Sequence, residues 1–239
     1  MSFIRYFQKY THRLGLIVRP YKPSTHPDAR LIAALKHFNI DLVLDVGANV
    51  GQYACMLMDH GFQEKIISFE PLTECHNSLM AISKTKSNWD IYERCAIGSE
   101  VGEIEINISE NLVSSSVLNI LDTHVQGEPS SKYIGKEKVN VMPLDAVDLP
   151  IESNSILLKI DVQGFEMAVL NGASKVLRNS KLVSVEMSFV PVYENNNVSW
   201  KEVVEFMENN GFYLYGIQPA FTDNNTGQVY QIDGIFARK

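Results

Sequence analysis

Four carboxylates stand at or near the ends of short apolar runs. They are Asp45 in Leu42-Val43-Leu44-Asp45-Val46, Glu70 after Lys65 to Phe69, Asp161 after Ile156 to Ile160, and Glu186 closing Leu182-Val183-Ser184-Val185-Glu186. Runs this short and this rich in β-branched residues read as buried strands. Ligands of open α/β sheets bind outside the carboxyl ends of the strands, so acids placed there face one crevice. Carboxylates in such a crevice can accept hydrogen bonds from sugar hydroxyls or take up a proton from a reacting group.

The first run leads into Gly47-Ala48-Asn49-Val50-Gly51-Gln52-Tyr53, where two glycines let the backbone turn close to a ligand before a helix begins. A dinucleotide pyrophosphate asks for G-x-G-x-x-G. Here the third position is Asn49 and the sixth Gln52. A loop with amides and a nearby acid, but without the phosphate glycines, suits S-adenosylmethionine, which has no phosphate. Glu70 follows at about the twenty-residue interval at which an acid meets a ribose in doubly wound folds. Pro71 suits the first turn of the next helix.

These acids need a scaffold, and the rest of the chain reads as one. Strand patterns recur around Leu42, Ile66, Ile91, Ile156, Leu182 and Tyr213 with helical stretches mostly between them, the rhythm of a parallel sheet covered on both faces. A helix from Asp28 through Leu31, Ile32, Leu35 and Phe38 precedes the first strand. Ser199 with Glu202 forms a capping box for a helix that stops at Gly211, and the strand Phe212 to Ile217 follows. Val229 to Ala237 returns as a last strand, antiparallel to its neighbour because its connection is short. Between Ile97 and Leu144 the rhythm changes. Ile104, Ile106 and Ile108 alternate with polar residues, as do Val139 and Val141, giving an inserted β-hairpin with one wet face. The segment from Glu110 to Lys138, with Ser114-Ser115-Ser116, reads either as a substrate-facing loop or as a plain connection.

At 239 residues the chain can bury a full core as a single α/β domain over 28–239, preceded by a basic arm over 1–27. The arm holds Arg5, Lys9, Arg13, Arg19 and Lys22 and no acid, with Phe3, Ile4, Phe7, Leu14, Leu16 and Ile17 among them. Setting those five charges aside turns the net −7 into −12 on the rest. An acidic body argues against nucleic acid as a partner. The arm suits an anionic membrane surface or carrier, or packing on its own domain or on a second copy in a homodimer. No apolar run near twenty residues and no secretory leader are apparent, so a cytoplasmic protein is expected. Cys55, Cys75 and Cys95 show no pairing pattern and read as buried thiols.

A third string completes the set. Lys159-Ile160-Asp161-Val162-Gln163-Gly164-Phe165-Glu166 is a strand ending in an acid, a glycine turn, and a helix with an acid in its first turn. Taken with Asp45-Val46-Gly47-Ala48-Asn49-Val50-Gly51, Phe69-Glu70-Pro71, Ala96-Ile97-Gly98 and Leu144-Asp145, it resembles the FkbM family of S-adenosylmethionine-dependent methyltransferases over about residues 40 to 236. The resemblance implies a seven-stranded, Rossmann-like class I fold. It also implies O-methylation of hydroxyl groups on sugars of glycans and glycolipids or on secondary metabolites. It places Asp45, Gly47, Asn49, Gly51 and Tyr53 on the methionine side, Glu70 and Pro71 at the ribose and Ala96 near the adenine. Gln163 stands where the family usually has an acid, and Phe165 where it often has His or another polar residue.

An alcohol is a poor nucleophile until its proton leaves, so a carboxylate or His must lie within hydrogen-bond reach. Asp161, which also borders the cofactor, is the first candidate and Glu186 the second. Glu166 reads either as a site acid or as a charge favourable at a helix N-terminus. His76 and His124 are weaker candidates. Asp161 with Glu186 could instead hold Mg2+ or Ca2+ to orient two hydroxyls. Lys159, flanked by apolar residues, reads as an ion pair with one of these acids. Tyr193, Trp200 and Tyr215 are read as aromatics that stack on sugar faces, or as core. Two other functions fit parts of the pattern: a cofactor-binding accessory subunit without turnover, and a nicotinamide-dependent oxidoreductase, which the absent phosphate glycines disfavour.

Overall fold

The computed structural model describes residues 7, 8, 10–149, 155–194 and 198–239. The sequence expectations for Phe3, Ile4, Arg5 and Lys9 fall outside the described residues. The chain forms two compact units, Met1–His37 and Phe38–Lys239. Helix Pro27–His37 (α1) therefore groups with the arm, whereas the sequence reading placed it in the main domain. Pro27 is its first residue, where a missing N–H costs nothing, and Ala29, Leu31, Ala34 and Leu35 are buried. Leu14, Leu16 and Ile17 of this unit are exposed.

In the second unit, strands β1 (Leu42–Val46), β2 (Lys65–Phe69) and β3 (Trp89–Ile91) run parallel and alternate with helices α2 (Gln52–Asp59) and α3 (Thr73–Ser83). After the inserted segment, β7 (Ile156–Ile160) pairs parallel with the other side of β1. It is followed by α5 (Glu166–Asn171), α6 (Ser174–Asn179) and β8 (Ser180–Ser188). Helix α7 (Trp200–Asn209), β9 (Phe212–Pro219) and β10 (Gln231–Arg238) complete the sheet, with β10 antiparallel to both β8 and β9. The order β3-β2-β1-β7-β8-β10-β9 is the doubly wound class I methyltransferase sheet that the sequence resemblance implied. Its topological switch lies between β1 and β7.

Register explains why the strand-end acids meet. Val46 lies beside Phe69 on one side and Ile160 on the other. The next residue on each strand, Gly47, Glu70 and Asp161, is therefore at one level, just past the sheet. Burial holds that level fixed: Leu44, Leu158, Val183 and Phe236 are fully enclosed, and each apolar side chain taken from water contributes about 1.5–3 kcal/mol.

The insert holds a three-stranded sheet in the order β4-β6-β5, made by Ala96–Gly98 (β4), Gly102–Ser109 (β5) and Tyr133–Pro143 (β6). The antiparallel β5–β6 pair matches the expected alternation, with Ile106, Val139 and Val141 buried. It is not a tight hairpin. The connection carries helix α4 (Asp122–Gly127) and a short 3-10 turn at Pro129–Ser131, and β4 adds a parallel edge. Helix α7 carries the expected cap, with Glu202 Oε2 accepting from the Ser199 N–H at 2.7 Å. Asp145 caps α6, its carboxylate accepting from Lys175 N at 2.8 Å and Val176 N at 3.0 Å. Among the described residues no helix is long and apolar enough to cross a membrane. All three cysteines are free thiols, with Cys75 and Cys95 buried.

Candidate active site at the switch point

A cavity of about 240 Å³ opens at the ends of β1, β2 and β7. Its floor is the loop after β1. Gly47 has φ +77, and a Cβ there would come within 1.8 Å of the Asp161 carbonyl oxygen, so only glycine lets this loop lie against the end of β7. Asn49 has φ +50, a left-handed conformation that asparagine tolerates better than most residues. Its side-chain oxygen accepts from Val50 N at 2.8 Å, and its own N–H donates to Glu70 Oε2 at 2.8 Å. The departure from a phosphate-binding glycine pattern at this position thus has a structural purpose. Asn49 ties the loop to the neighbouring strand end.

Glu70 is buried, with Oε1 accepting from Leu72 N at 2.9 Å. Burial pushes its carboxyl up to about 7, against the two backbone hydrogen bonds and Lys159, which pull it down. Helix α3 begins only at Thr73, so Pro71 precedes the helix, contrary to the sequence expectation, and lines the cavity instead. The Glu70 carboxylate accepts from the Leu72 N–H, Leu72 is the extended residue that caps the helix, and the helix starts two residues beyond Pro71.

Beneath the loop lies a buried charge cluster. Asp45 and Lys159 are partners in register on β1 and β7. Lys159 Nζ donates to Gly47 O at 2.9 Å, lies 3.2 Å from Asp45 Oδ1 and 3.6 Å from Asp161 Oδ2. Burial alone would depress Lys159, but Asp45 and Asp161 outweigh it and hold the ammonium above its ordinary range. The expected ion pair therefore exists, with two acids. Asp45 Oδ2 accepts from Ser68 Oγ at 3.1 Å, and Asp45 is wholly buried beneath the cavity wall. It lies one residue before the end of β1, beneath the loop, and is not among the residues that line the cavity. Gly51 is also set apart from the cavity. It precedes α2 with φ +90, and the space beside it is filled by Trp89 and Leu79.

The expected cofactor residues that do line the cavity are Gly47, Asn49, Tyr53, Glu70, Pro71, Ala96 and Asp161. Tyr53 carries a telling detail: its hydroxyl is buried with no hydrogen-bond partner among the described residues. Burial first, then Asp45 and Asp233, raise it well above an ordinary tyrosine, so it remains a donor. A buried donor left unpaired on a residue that lines a cavity leaves one hydrogen bond to be made.

The three catalytic candidates separate. Asp161 lines the cavity with its side chain 37% exposed. Glu166 is buried in its own turn, with Oε1 accepting from Gly164 N at 2.9 Å and Val162 N at 3.2 Å. Burial raises it to about 7, and its geometry is that of a clamp on the β7–α5 turn. Glu186 is buried behind the cavity wall, where Oε2 accepts from Gln163 Nε2 at 3.0 Å and Gln231 Nε2 at 2.8 Å. Burial, with Asp161, Glu166 and Asp233 nearby, pushes it well above the usual carboxylate range. Asp161 and Glu186 are bridged by the Gln163 amide, whose Nε2 stands where a shared cation was considered. Among the described residues no group of three or more His, Cys, Asp or Glu is placed to hold a metal ion.

The weaker candidates are occupied elsewhere. A ring nitrogen of His76 meets Tyr92 O at 2.9 Å, and His124 is buried and stacked on Phe221 at 4.8 Å. Tyr193 is buried, not exposed, and donates to Gln163 Oε1. Trp200 packs edge-on against Phe189, and Tyr215 against Phe38. The sequence reading noted Gln163 and Phe165 only as departures from the family pattern and gave no role to the insert residues Leu112, Val113 and Val117; all five line the cavity. The polar stretch around Ser114 was the available signal for the last of these, and its neighbours Ser115 and Ser116 do face the cavity.

Methyltransferase sdnD of Sordaria araneosa is 25% identical over 157 residues, covering 56% of this chain and 60% of that protein. The hexuronic acid methyltransferase AglP of Haloferax volcanii is 24% identical over 147 residues, covering 62% of this chain and 56% of that protein. The chain thus spans somewhat over half the length of these curated relatives. A putative S-adenosylmethionine dependent methyltransferase from Listeria monocytogenes aligns over 89% of this chain and 98% of its own, at 11% identity and a TM-score of 0.48. The methyltransferase FkbM domain model matches residues 45–214, from the charge cluster under the loop to the strand after α7. With both the match and the cavity spanning the same strand ends, the chain belongs to the FkbM methyltransferase domain family.

Proposed function

We propose that this chain binds S-adenosylmethionine at the switch point and transfers its methyl group to a hydroxyl of a sugar, in a glycan, glycolipid or secondary metabolite. The observation that carries this reading is the division of labour between two carboxylates of one cavity: Glu70, buried and anchored, and Asp161, partly exposed. Glu70 keeps lone pairs for the two ribose hydroxyls while its backbone bonds fix its direction. The loop amides from Gly47 to Gly51 are spent on Phe69, Glu70, Asn49 and Ala48, which fixes the loop. The Tyr53 hydroxyl, unpaired among the described residues, is the donor that suits the methionyl carboxylate. When bound, the cofactor supplies a methyl group on a sulfonium. An acceptor oxygen in line with that methyl forms the new C–O bond as the C–S bond breaks and its electrons return to sulfur. Asp161 takes the hydroxyl proton, and alignment by the cavity walls supplies much of the rate.

The name of the relative AglP raises a second acceptor, the carboxylate of a hexuronic acid. Such an oxygen is already ionised and needs no base, and Asp161 would repel it. A hydroxyl is the better match to this wall.

Calorimetry tests the cofactor. S-adenosylmethionine is expected to bind, NAD not, and Glu70→Ala to weaken S-adenosylmethionine at least tenfold, or about 1.4 kcal/mol. Failure of the wild type to bind S-adenosylmethionine overturns the proposal. Titration of Glu70 adds a pH signature. The ribose hydroxyls donate to the anion, so affinity is full above about 7 and falls as pH drops through that value. Between pH 8 and pH 6 the loss should be about tenfold in the wild type, and Glu70→Gln should remove it. Turnover of methyl-labelled cofactor on hexuronic acids and neutral sugars separates an enzyme from an accessory subunit, which binds without turnover.

A further inference from the structure

We infer that the turn from Arg13 to Lys22 docks on an anionic lipid bilayer, with an apolar tip entering the headgroup layer between two arginines. Leu14, Leu16, Ile17 and Val18 lie exposed within five positions, Leu14 at 76% and Ile17 at 63%. Every residue from 12 to 24 is exposed. Single exposed aliphatic side chains are ordinary on a protein surface, whereas a run of them marks a face that meets something apolar.

The local fold presents these side chains as a tip. His12–Leu14 forms a 3-10 turn that ends at Gly15, with φ +71, whose N–H donates to His12 O at 3.1 Å. Leu16 N donates to Thr11 O at 2.9 Å and Gln8 Nε2 to Val18 O at 2.8 Å, so the chain doubles back around Gly15. A Cβ on Gly15 would have nothing within 4 Å, as befits the outermost point of a turn. With its base tied by hydrogen bonds, the tip has less backbone freedom to lose on docking.

Charge selects the surface. Arg13 and Arg19 bracket the apolar run, Lys22 follows, and the first acid of the chain is Asp28. Within this unit, among the described residues, Asp28 faces His26 at 3.7 Å, and no carboxylate pairs with Arg13, Arg19 or Lys22. Apolar side chains set directly between cations ask for an apolar layer beneath an anionic one, which is the order of a bilayer leaflet. Arginine stems can lie along the tip while the guanidinium groups stay among the phosphates. A second copy of the chain is the poorer match. The exposed apolar strip of the main unit, Tyr213, Leu214, Tyr215 and Ile217, lies on β9, which carries no carboxylate to meet the arginines. The bearing on the acceptor rests on the proposed function: of the acceptors named there, a glycolipid is the one such a surface presents.

Flotation of the full chain with lipid vesicles tests this. The wild type should float with vesicles holding about one third phosphatidylglycerol in phosphatidylcholine and stay behind with phosphatidylcholine alone. Binding should fall steeply between about 0.1 M and about 1 M salt, as the Debye length shrinks from about 10 Å to about 3 Å. Arg13→Gln and Arg19→Gln should each weaken binding about fivefold, and Leu16→Ser and Ile17→Ser at least about tenfold each. Ile134→Ser, at an exposed position on β6, is the control and should stay within about twofold of wild type. Circular dichroism checks that each variant is folded. Equal binding to neutral and anionic vesicles, or folded Leu16→Ser and Ile17→Ser proteins that float like wild type, overturns the inference. So does a wild type that ignores vesicles but sediments as a dimer that Ile17→Ser splits, which would make the partner a second copy. Failure to bind S-adenosylmethionine removes the proposed function and leaves the vesicle result standing.

Discussion

Asp161→Asn is expected to lower turnover by about a hundred- to ten-thousand-fold, the range that general-base catalysis supplies. Its cofactor affinity should stay within a few fold. The substitution is nearly isosteric, and Asn can still accept from Gln163 Nε2 through its amide oxygen, so the turn and the cavity wall should persist. What is lost is the ability to take a proton. Glu186 cannot replace it, because its carboxylate is capped by two amides behind the wall and does not border the cavity. Single-turnover rates with labelled cofactor check this, beside calorimetry on the same protein. Activity close to wild type would mean an acceptor that arrives already deprotonated, and would turn the search toward uronic carboxylates.

Gly47→Ala should produce the largest structural effect of any single methyl group added to the site. The new Cβ would lie 1.8 Å from the Asp161 carbonyl oxygen, on a backbone with φ +77. Neither partner can yield easily. Gly47 is held by its N–H to Phe69 O, and Asp161 by its N–H to Val46 O, both at 3.1 Å. Destabilisation of at least about 3 kcal/mol is expected, together with loss of cofactor binding. Gly61→Ala is the control, since Gly61 has φ +85 with nothing within 4 Å of the added carbon. It should cost about 1 kcal/mol, the price of the left-handed backbone alone. Chemical denaturation of the two variants separates collision from conformation. Equal losses would show that the loop can lift from the strand end.

Most of the sheet was legible because its strands are short β-branched runs with charged or glycine-rich ends, a pattern that depends on neighbours in sequence. The convergence of Glu70 and Asp161 was legible for the same reason: parallel strands of equal length end at one level. Depth was harder to read. Asp45 sits one residue before its strand ends, and that offset turns it beneath the floor, against Lys159 and Ser68. Gly51 looked like a ligand-facing glycine, yet the side chains that exclude a Cβ there come from Trp89 and Leu79, far along the chain. Gln163 was legible only as a departure from the acid that the family usually has there, because a glutamine has no local signature of the contacts it makes. Its role arises from Glu186, Tyr193 and Ser116, which three separate segments bring to it.

The insert leaves the main sheet and returns to it through paired strands, with Ala96 opposite Val141 and Gly98 opposite Pro143. Its two ends are therefore already closed on each other, and lengthening the chain between them adds little entropy cost, about 0.6 kcal/mol for each doubling. A segment joined in this way can be exchanged without reopening the main sheet. The wall bearing Leu112, Val113 and Ser116 belongs to this segment, whereas the loop, Glu70 and the ends of β1, β2 and β7 lie outside it. A chimaera that exchanges residues 99–142 alone should keep its cofactor and change its acceptor.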